Sequence, residues 1–283
     1  MVFYHRWPTA RVDLREVSFS LLGQAMAVHD FNSQRLWLDV PLVGDGEHAL
    51  SRDQANYVRN VLRLGDGAEI LVFNGQDGEW RTRVALHGKR DCVLKFHHQT
   101  RPQTAPGSLI YMFAPLKRAR LDYMVQKAVE MGVGQLWPVL TRRTVAERVN
   151  LDRMRANAIE AAEQCGILSI PEIEVPEPLP ARLARWPATV PLVFCDEGAA
   201  ITDPVAALEA LKANINEKQG DGPDKCPVGI LIGPEGGFDG DERAILRSKP
   251  FVTAISLGPR VMRADTAAVA ALALVNAVLG DWS

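Results

Sequence analysis

Cysteine is scarce in this sequence. The four residues, Cys92, Cys165, Cys195 and Cys226, are widely scattered, with no Cys-x-x-Cys pair and no Cys/His spacing of a zinc site. No metal and no disulfide framework is expected, and a reducing cytoplasm is the default compartment. Long apolar runs are missing as well. The longest, Ala267 to Leu279, is interrupted by Asn276 and is too short to span a bilayer. The first residues show no apolar core of a secretory signal. No loop has the Lys-Ser/Thr of a P-loop or the glycine spacing of the dinucleotide fingerprint. Charge of one sign is also lacking overall: the net value is −2, which excludes a generally basic nucleic-acid coat. No internal repeat is present.

What is there is an ordinary globular composition, 47% hydrophobic and 23% charged over 283 residues, suited to one large or two medium domains. The charge is unevenly placed. Arg52 to Arg101 holds 9 Lys/Arg against 6 Asp/Glu, and Lys117 to Arg155 holds 9 against 4. Elsewhere the balance is 14 against 24. Two basic segments in an acidic chain fit a local footprint on an anionic polymer, and fit equally a solvated surface.

Residues 1–33 mix helix-like and strand-like fragments with no core pattern, and read as an extension; Met26 offers an alternative start. From Arg35 short strands dominate. Arg35 to Val40 alternates and stops at Pro41. Ser51 caps a helix running to Leu64, with an apolar face at Ala55, Val58, Val61 and Leu62. Strands follow at Glu69 to Phe73, Glu79 to Leu86 and Asp91 to His97, joined by glycine turns. Closely spaced strands with one helix predict a small β-barrel over 34–101. Pro102, Pro106 and Gly107 mark a linker at 102–108.

From 109 to 283 strands alternate with helices, which predicts an α/β domain with a mainly parallel sheet. The strands are Leu109 to Phe113, Gln135 to Leu140 and Val190 to Phe194. The helices are an amphipathic one carrying Leu121, Met124, Val125, Ala128 and Val129, then Asp152 to Gln164 and Ala206 to Asn214. Pro171 to Pro180 reads as a connector and Glu217 to Asp224 as a surface loop. Two glycine loops close the chain. Gly229-Ile230-Leu231-Ile232 breaks at Gly233-Pro234-Glu235-Gly236-Gly237-Phe238, after which Asp239 and Glu242 form a capping box. Ser256-Leu257 breaks at Gly258-Pro259-Arg260-Val261-Met262-Arg263, and an Ala/Val/Leu-rich helix follows. Two strand–turn–helix units put both loops at one sheet edge, where open α/β sheets bind ligands. Glycines, prolines and one acid suit a neutral or cationic ligand held by backbone groups.

These motifs, in order, resemble the bacterial 16S rRNA uracil-N3 methyltransferase family of the SPOUT class. The Gln126-Lys127-Ala128-Val129-Glu130-Met131-Gly132-Val133 segment is similar to the family's Gln-Lys-x-x-Glu-Leu-Gly-Val helix. Glu163-Gln164-Cys165-Gly166 with Pro171-Glu172-Ile173 matches its central motif, and the two glycine loops match its cofactor loops. The resemblance spans roughly Gln34 to the C-terminus. It implies a PUA-like RNA-binding barrel, a C-terminal domain with a deep trefoil knot, bent S-adenosylmethionine in the knot loops, and a homodimer. Spacing alone could not show a knot, since true knots are nearly absent from proteins. The implied substrate is one uracil of 16S rRNA, at position 1498. Two departures stand out: Ile167-Leu168-Ser169 follows Gly166 where the family usually has an arginine, and Asp265 stands where glutamate is usual.

Chemically, methylating uracil N3 needs a slot for the cofactor, a place for an unpaired or flipped base, and charge beside it. The expected slot is Leu231, Ile232, Gly233, Pro234, Glu235, Gly236 and Gly237 with Leu257, Gly258, Pro259, Val261 and Met262, and Phe194 as a further wall. Glu235 faces the sulfonium or else bonds local amides. Arg263 stabilises the charge on the uracil oxygens, or else pairs with Asp265 or Glu130. Glu235 and Asp265 are the candidate proton acceptors, and neither is singled out. Arg52, Arg59, Arg63, Arg81, Lys117, Arg118 and Arg120 are expected on RNA phosphates. The final helix is a core element or a dimer interface. Competing readings are a non-catalytic RNA-binding dimer and a nucleotide-binding α/β enzyme.

Overall fold

The computed structural model divides the chain into Met1–Asp30 and Phe31–Ser283. It describes residues 30, 33–88, 90–145, 148–199, 203–219 and 226–282, so the extension expected at the N-terminus lies almost wholly outside the described residues.

The N-terminal sheet contains β1 (Arg35–Trp37), β2 (Glu47–Ala49), β3 (Glu69–Phe73), β4 (Glu79–His87) and β5 (Asp91–Arg101) in the order β1-β3-β4-β5-β2. Only the β1–β3 pair is parallel, so the sheet is mixed. β2 was not legible in the sequence, because three residues without apolar alternation carry no period. In β3, Ile70, Leu71, Val72 and Phe73 are all buried, since both faces are covered. Ile70 and Val72 pack with Leu36, Leu38, Val84, Leu94 and Phe96, whereas Phe73 joins the core of the following sheet.

The expected helix from Ser51 is α1 (Arg52–Asn56) followed by a π-helical turn, Tyr57–Val61. Ser51 caps it, and the Gln54 side chain returns the bond to complete a capping box. Val61, expected on the apolar face, is 61% exposed. The wider π turn, closed by the Leu62 N–H on the Tyr57 carbonyl at 2.9 Å, rotates the later residues off the 3.6-residue period.

The C-terminal sheet is parallel throughout. β6 (Leu109–Phe113), β7 (Val133–Leu140), β8 (Glu172–Ile173), β10 (Leu192–Cys195), β11 (Val228–Ile232) and β12 (Val252–Ile255) run β12-β10-β11-β6-β7-β8, and β9 (Glu177–Pro178) pairs with the end of β7. Its helices are α2 (Ala119–Glu130), α3 (Leu151–Cys165), α4 (Leu179–Ala184), α5 (Pro204–Gln219), α6 (Gly240–Arg247) and α7 (Ala264–Val278). Period-two burial sorts them onto two faces. Tyr111, Phe113, Val193, Ile230 and Ile232 pack against α2, α3 and α7. Ile110, Met112, Phe194 and Leu231 pack against Leu179 and Leu183 of α4 and Leu246 of α6. The fold is thus α/β, a mixed N-terminal sheet followed by a parallel sheet wound on both faces. Among the described residues no helix is long and apolar enough to cross a membrane.

Two expectations need correcting. The Pro171–Pro180 connector holds β8, β9 and the start of α4, whose Leu179 and Leu183 are buried; Pro180 sits in the first turn of α4, where a missing N–H costs nothing. The loop expected from Glu217 begins as the last turn of α5, and residues 220–225 lie outside the described ones. The Glu163–Gly166 motif proves to be where the two sheets meet. Glu163 accepts the Trp37 N–H at 2.8 Å, and Arg101 donates to the Gly166 carbonyl at 2.8 Å. Arg101 and Arg35 both pair with the buried Glu79, at 2.7 and 2.9 Å. Burial opposes that carboxylate's charge, but hydrogen bonds from Arg101, Thr100 and Arg35 overcome it and hold its pKa below the ordinary value. In the Ile167-Leu168-Ser169 segment that follows Gly166, Leu168 is core and Ile167 packs against it.

Candidate active site

Because β10, β11 and β12 are parallel neighbours, their carboxyl ends open at one edge of the sheet. The turns that follow enclose a cavity of about 250 Å³. Its walls are Cys195–Glu197 at the end of β10, Ile232–Phe238 at the end of β11, and Ser256–Leu257–Gly258 with Arg260, Val261 and Met262 after β12, closed by Ala264 and Ala267 of α7.

The first glycine loop has this path for steric reasons. A Cβ on Gly233 would lie 2.5 Å from the Phe238 ring, which packs edge-on against Phe194 with centroids 5.0 Å apart. Gly237 has φ +67°, and its N–H closes a turn on the Pro234 carbonyl at 2.9 Å. The chain then enters α6 through the capping box of Asp239 and Glu242. In the second loop Gly258 adopts φ +106°, a conformation L side chains rarely tolerate.

Ten of the expected cofactor residues line this cavity: Ile232, Gly233, Pro234, Glu235, Gly236, Gly237, Leu257, Gly258, Val261 and Met262. Three do not. Phe194 and Leu231 are wholly buried in the core behind it, because the strand alternation turns them to the α4/α6 face, and Pro259 is off the wall. Phe194 touches the cavity wall only through the Phe238 ring it packs against. The sequence reading missed the turn after β10, although Cys195-Asp196-Glu197-Gly198 marked a strand end. Asp196 is buried and meets Arg247 at 2.6 Å and Arg243 at 3.1 Å, while its Oδ1 accepts the Gly198 N–H. Glu197 takes a second bond from Arg243 at 2.6 Å. Burial pushes the Cys195 thiol up to about 12, so it is a neutral wall. Arg260, also missed, is on the wall.

Arg263 is the exposed N-cap residue of α7, between Met262 and Ala264 of the cavity. Among the described residues it forms no ion pair with Asp265 or Glu130; Glu130 takes Lys127 at 2.7 Å. Asp265 is off the wall and accepts the Thr266 N–H at 2.9 Å. Glu235 is on it, with Arg120 at 3.4 Å.

Of the residues expected on RNA, Arg120 is therefore a rim residue paired to Glu235. Arg59 donates to the Gly88 and Asp91 carbonyls, and Arg81 pairs with Glu69 at 2.8 Å. Arg52, Arg63, Lys117 and Arg118 are exposed; Arg63 and Arg118 hold positive φ, +57° and +34°. Such outliers cost of order 1–3 kcal/mol and cluster at functional sites.

A mixed sheet joined to a parallel sheet with this loop-built cavity is matched by two family models. Residues 103–276 match an RNA methyltransferase domain, and residues 50–96 match an RNA methyltransferase PUA domain. The first match spans more than half of the chain, so the class is that of RNA methyltransferases. Within it, the chain belongs to the ribosomal RNA small subunit methyltransferase E family. The Rickettsia conorii ribosomal RNA small subunit methyltransferase E is 27% identical over 243 residues, 86% of this chain and 94% of that protein. The Neisseria gonorrhoeae ribosomal RNA small subunit methyltransferase E, solved bound to S-adenosyl methionine, has a TM-score of 0.74 at 23% identity, covering 89% of this chain and 100% of its own. A putative methyltransferase of Legionella pneumophila, solved with bound cofactor SAM, gives 0.70 at 25% identity, with 88% and 99% covered.

Proposed function

We propose that the protein transfers a methyl group from S-adenosylmethionine to N3 of a uracil in 16S rRNA, the uracil at position 1498 by family resemblance. The observation that carries this reading is the cavity where both glycine loops meet, whose wall residues Met262 and Ala264 flank Arg263 in the chain. The residues suit the cofactor. Ile232, Leu257, Val261 and Met262 offer apolar lining for adenine, Gly258 leaves open space above its backbone, and Glu235 and Glu197 suit a cationic sulfonium. That sulfonium supplies the electrophilic methyl. Arg263 stabilises negative charge on the uracil oxygens as the N3 proton leaves. Glu235 is the better placed proton acceptor, because it lines the cavity and Asp265 does not.

Uracil N3 is hidden in base pairs, so the target base enters unpaired or flipped. Arg52, Arg63, Lys117 and Arg118 are the cations open to RNA phosphates, with Arg59, Arg81 and Arg120 tied to protein partners. The partly exposed stripe Val269, Ala270, Ala273 and Ala277 on α7 is the proposed homodimer face, and the knotted threading and a cytoplasmic setting belong to the same reading. The extension 1–33, PUA-like barrel 34–101, linker 102–108 and methyltransferase domain 109–283 are the proposed domains. Titration calorimetry with S-adenosylmethionine tests it: saturable 1:1 binding per chain is expected, and no heat at near-millimolar ligand overturns it.

A further inference from the structure

Arg142 and Arg143 belong to the basic segment whose charge pointed to RNA, yet the structure turns both onto protein. They lie in the turn after β7, which Thr141 and Thr144 close on themselves: the Thr141 N–H meets the Thr144 Oγ1 at 2.8 Å. Strand β7 is not a neighbour of β11, since β6 runs between them. The turn nevertheless reaches the segment that follows β11. The Arg142 N–H binds Glu242 Oε1 at 2.8 Å, and its guanidinium pairs with Asp239 and Asp241 at the start of α6. Arg143 goes further in. Its Nη1 donates to the Gly236 carbonyl at 2.8 Å, and its Cβ lies 3.4 Å from where a Gly236 Cβ would be.

The consequence is local and specific. The peptide joining Gly236 to Gly237 carries one acceptor and one donor. The acceptor is held by Arg143, and the donor by the Pro234 carbonyl at 2.9 Å. Two successive glycines have the widest backbone freedom of any dipeptide. A cavity wall made of them charges each ligand the entropy of ordering it, unless something orders it beforehand.

We infer that Arg143 is a positioning residue: it fixes the Gly236–Gly237 peptide plane and so preorganises the cofactor wall. Arg143 touches no reacting atom in this account. It rests on the cofactor reading above. Loss of one exposed charge-assisted hydrogen bond, read as affinity, amounts to about 5- to 20-fold.

The test compares wild type, Arg143→Ala and Arg143→Lys as full chains. Hydrogen exchange on the ligand-free proteins reads the amides of 235–238. Exchange there is expected to quicken about 5- to 20-fold in Arg143→Ala, and to return toward wild type in Arg143→Lys, whose ammonium can still donate. Calorimetry is expected to show the same ordering for S-adenosylmethionine, with the KM for the cofactor raised, kcat retained and affinity for an rRNA fragment unchanged. Unaltered exchange at 235–238 in Arg143→Ala overturns the inference. So does a loss of RNA affinity equal to the loss of cofactor affinity, which would make Arg143 a phosphate contact. Failure of wild type to bind S-adenosylmethionine overturns the function proposed above instead, and the ligand-free exchange still decides the role of Arg143.

Discussion

Glu163 couples the two sheets through one hydrogen bond, and its titration makes that joint sensitive to pH. Its carboxylate accepts the Trp37 N–H at 2.8 Å. Burial, with Glu160 nearby, pushes its pKa up from 4.5 to about 7, although the Trp37 bond pulls the other way. Tyr57, whose own pKa is raised by burial and by Glu163 and Glu160, faces the same spot, and Arg155 lies over the Trp37 ring at 5.4 Å. Between pH 4.5 and pH 7 the folded chain keeps a proton that the unfolded chain has released. Stability therefore falls as pH rises through this window and is level above it. At 1.36 kcal/mol per unit the shift corresponds to about 3 kcal/mol, reduced to roughly 1.5 by solvent at a half-buried group. For a chain of this size that is about 3–6 °C in melting temperature. Glu163→Gln keeps an acceptor for Trp37 and removes the charge. Scanning calorimetry of both proteins at pH 5, 6, 7 and 8 should show similar melting at pH 5, then a growing advantage for the variant, reaching about 3–6 °C at pH 8. Parallel curves at all four values would refute the reasoning.

The remaining expectations follow from the cavity and its rim. Gly237→Ala forces a side chain onto φ +67° beside Glu197, so cofactor affinity in calorimetry should fall about tenfold or more. Asp196→Asn leaves Arg243 and Arg247, both partly open to solvent, around a neutral buried amide, and denaturant unfolding should report a loss of about 1–2 kcal/mol. Arg263→Ala should bind S-adenosylmethionine like wild type while methyl transfer drops about 100-fold or more; full transfer would remove Arg263 from the mechanism. Arg63→Glu should weaken RNA binding and flatten its salt dependence by about one counterion, because Arg63 is exposed and contacts phosphate in this account.

The parts of the fold written in a strong period were legible. Leu121, Met124, Val125, Ala128 and Val129 are all buried on one face of α2, and Asp239 caps α6 with Glu242 in reply. Both glycine loops were legible because glycine before a helix has few other uses, and they do line one cavity. What failed was local physics that one strand or helix cannot carry. Val61 left the apolar face because a π turn changed the period. Phe194 and Leu231 look like wall residues beside the loops, but which way each strand residue points depends on sheet register. Arg120 read as a cation for RNA and Arg143 as one charge of a basic segment, and their partners, Glu235 and Gly236, lie 115 and 93 residues away in the chain. The role of Glu163 needed the partner Trp37, 126 residues earlier.

The most direct test of the central claim is methyl transfer by the purified protein. Small ribosomal subunits from cells lacking this protein would be incubated with it and S-adenosylmethionine, and the digested 16S rRNA read by mass spectrometry. One N3-methyluracil per subunit, absent without the protein and lost with Arg263→Ala, is the predicted result. No gain in methylated nucleoside, or a methyl group on any atom other than uracil N3, would contradict it.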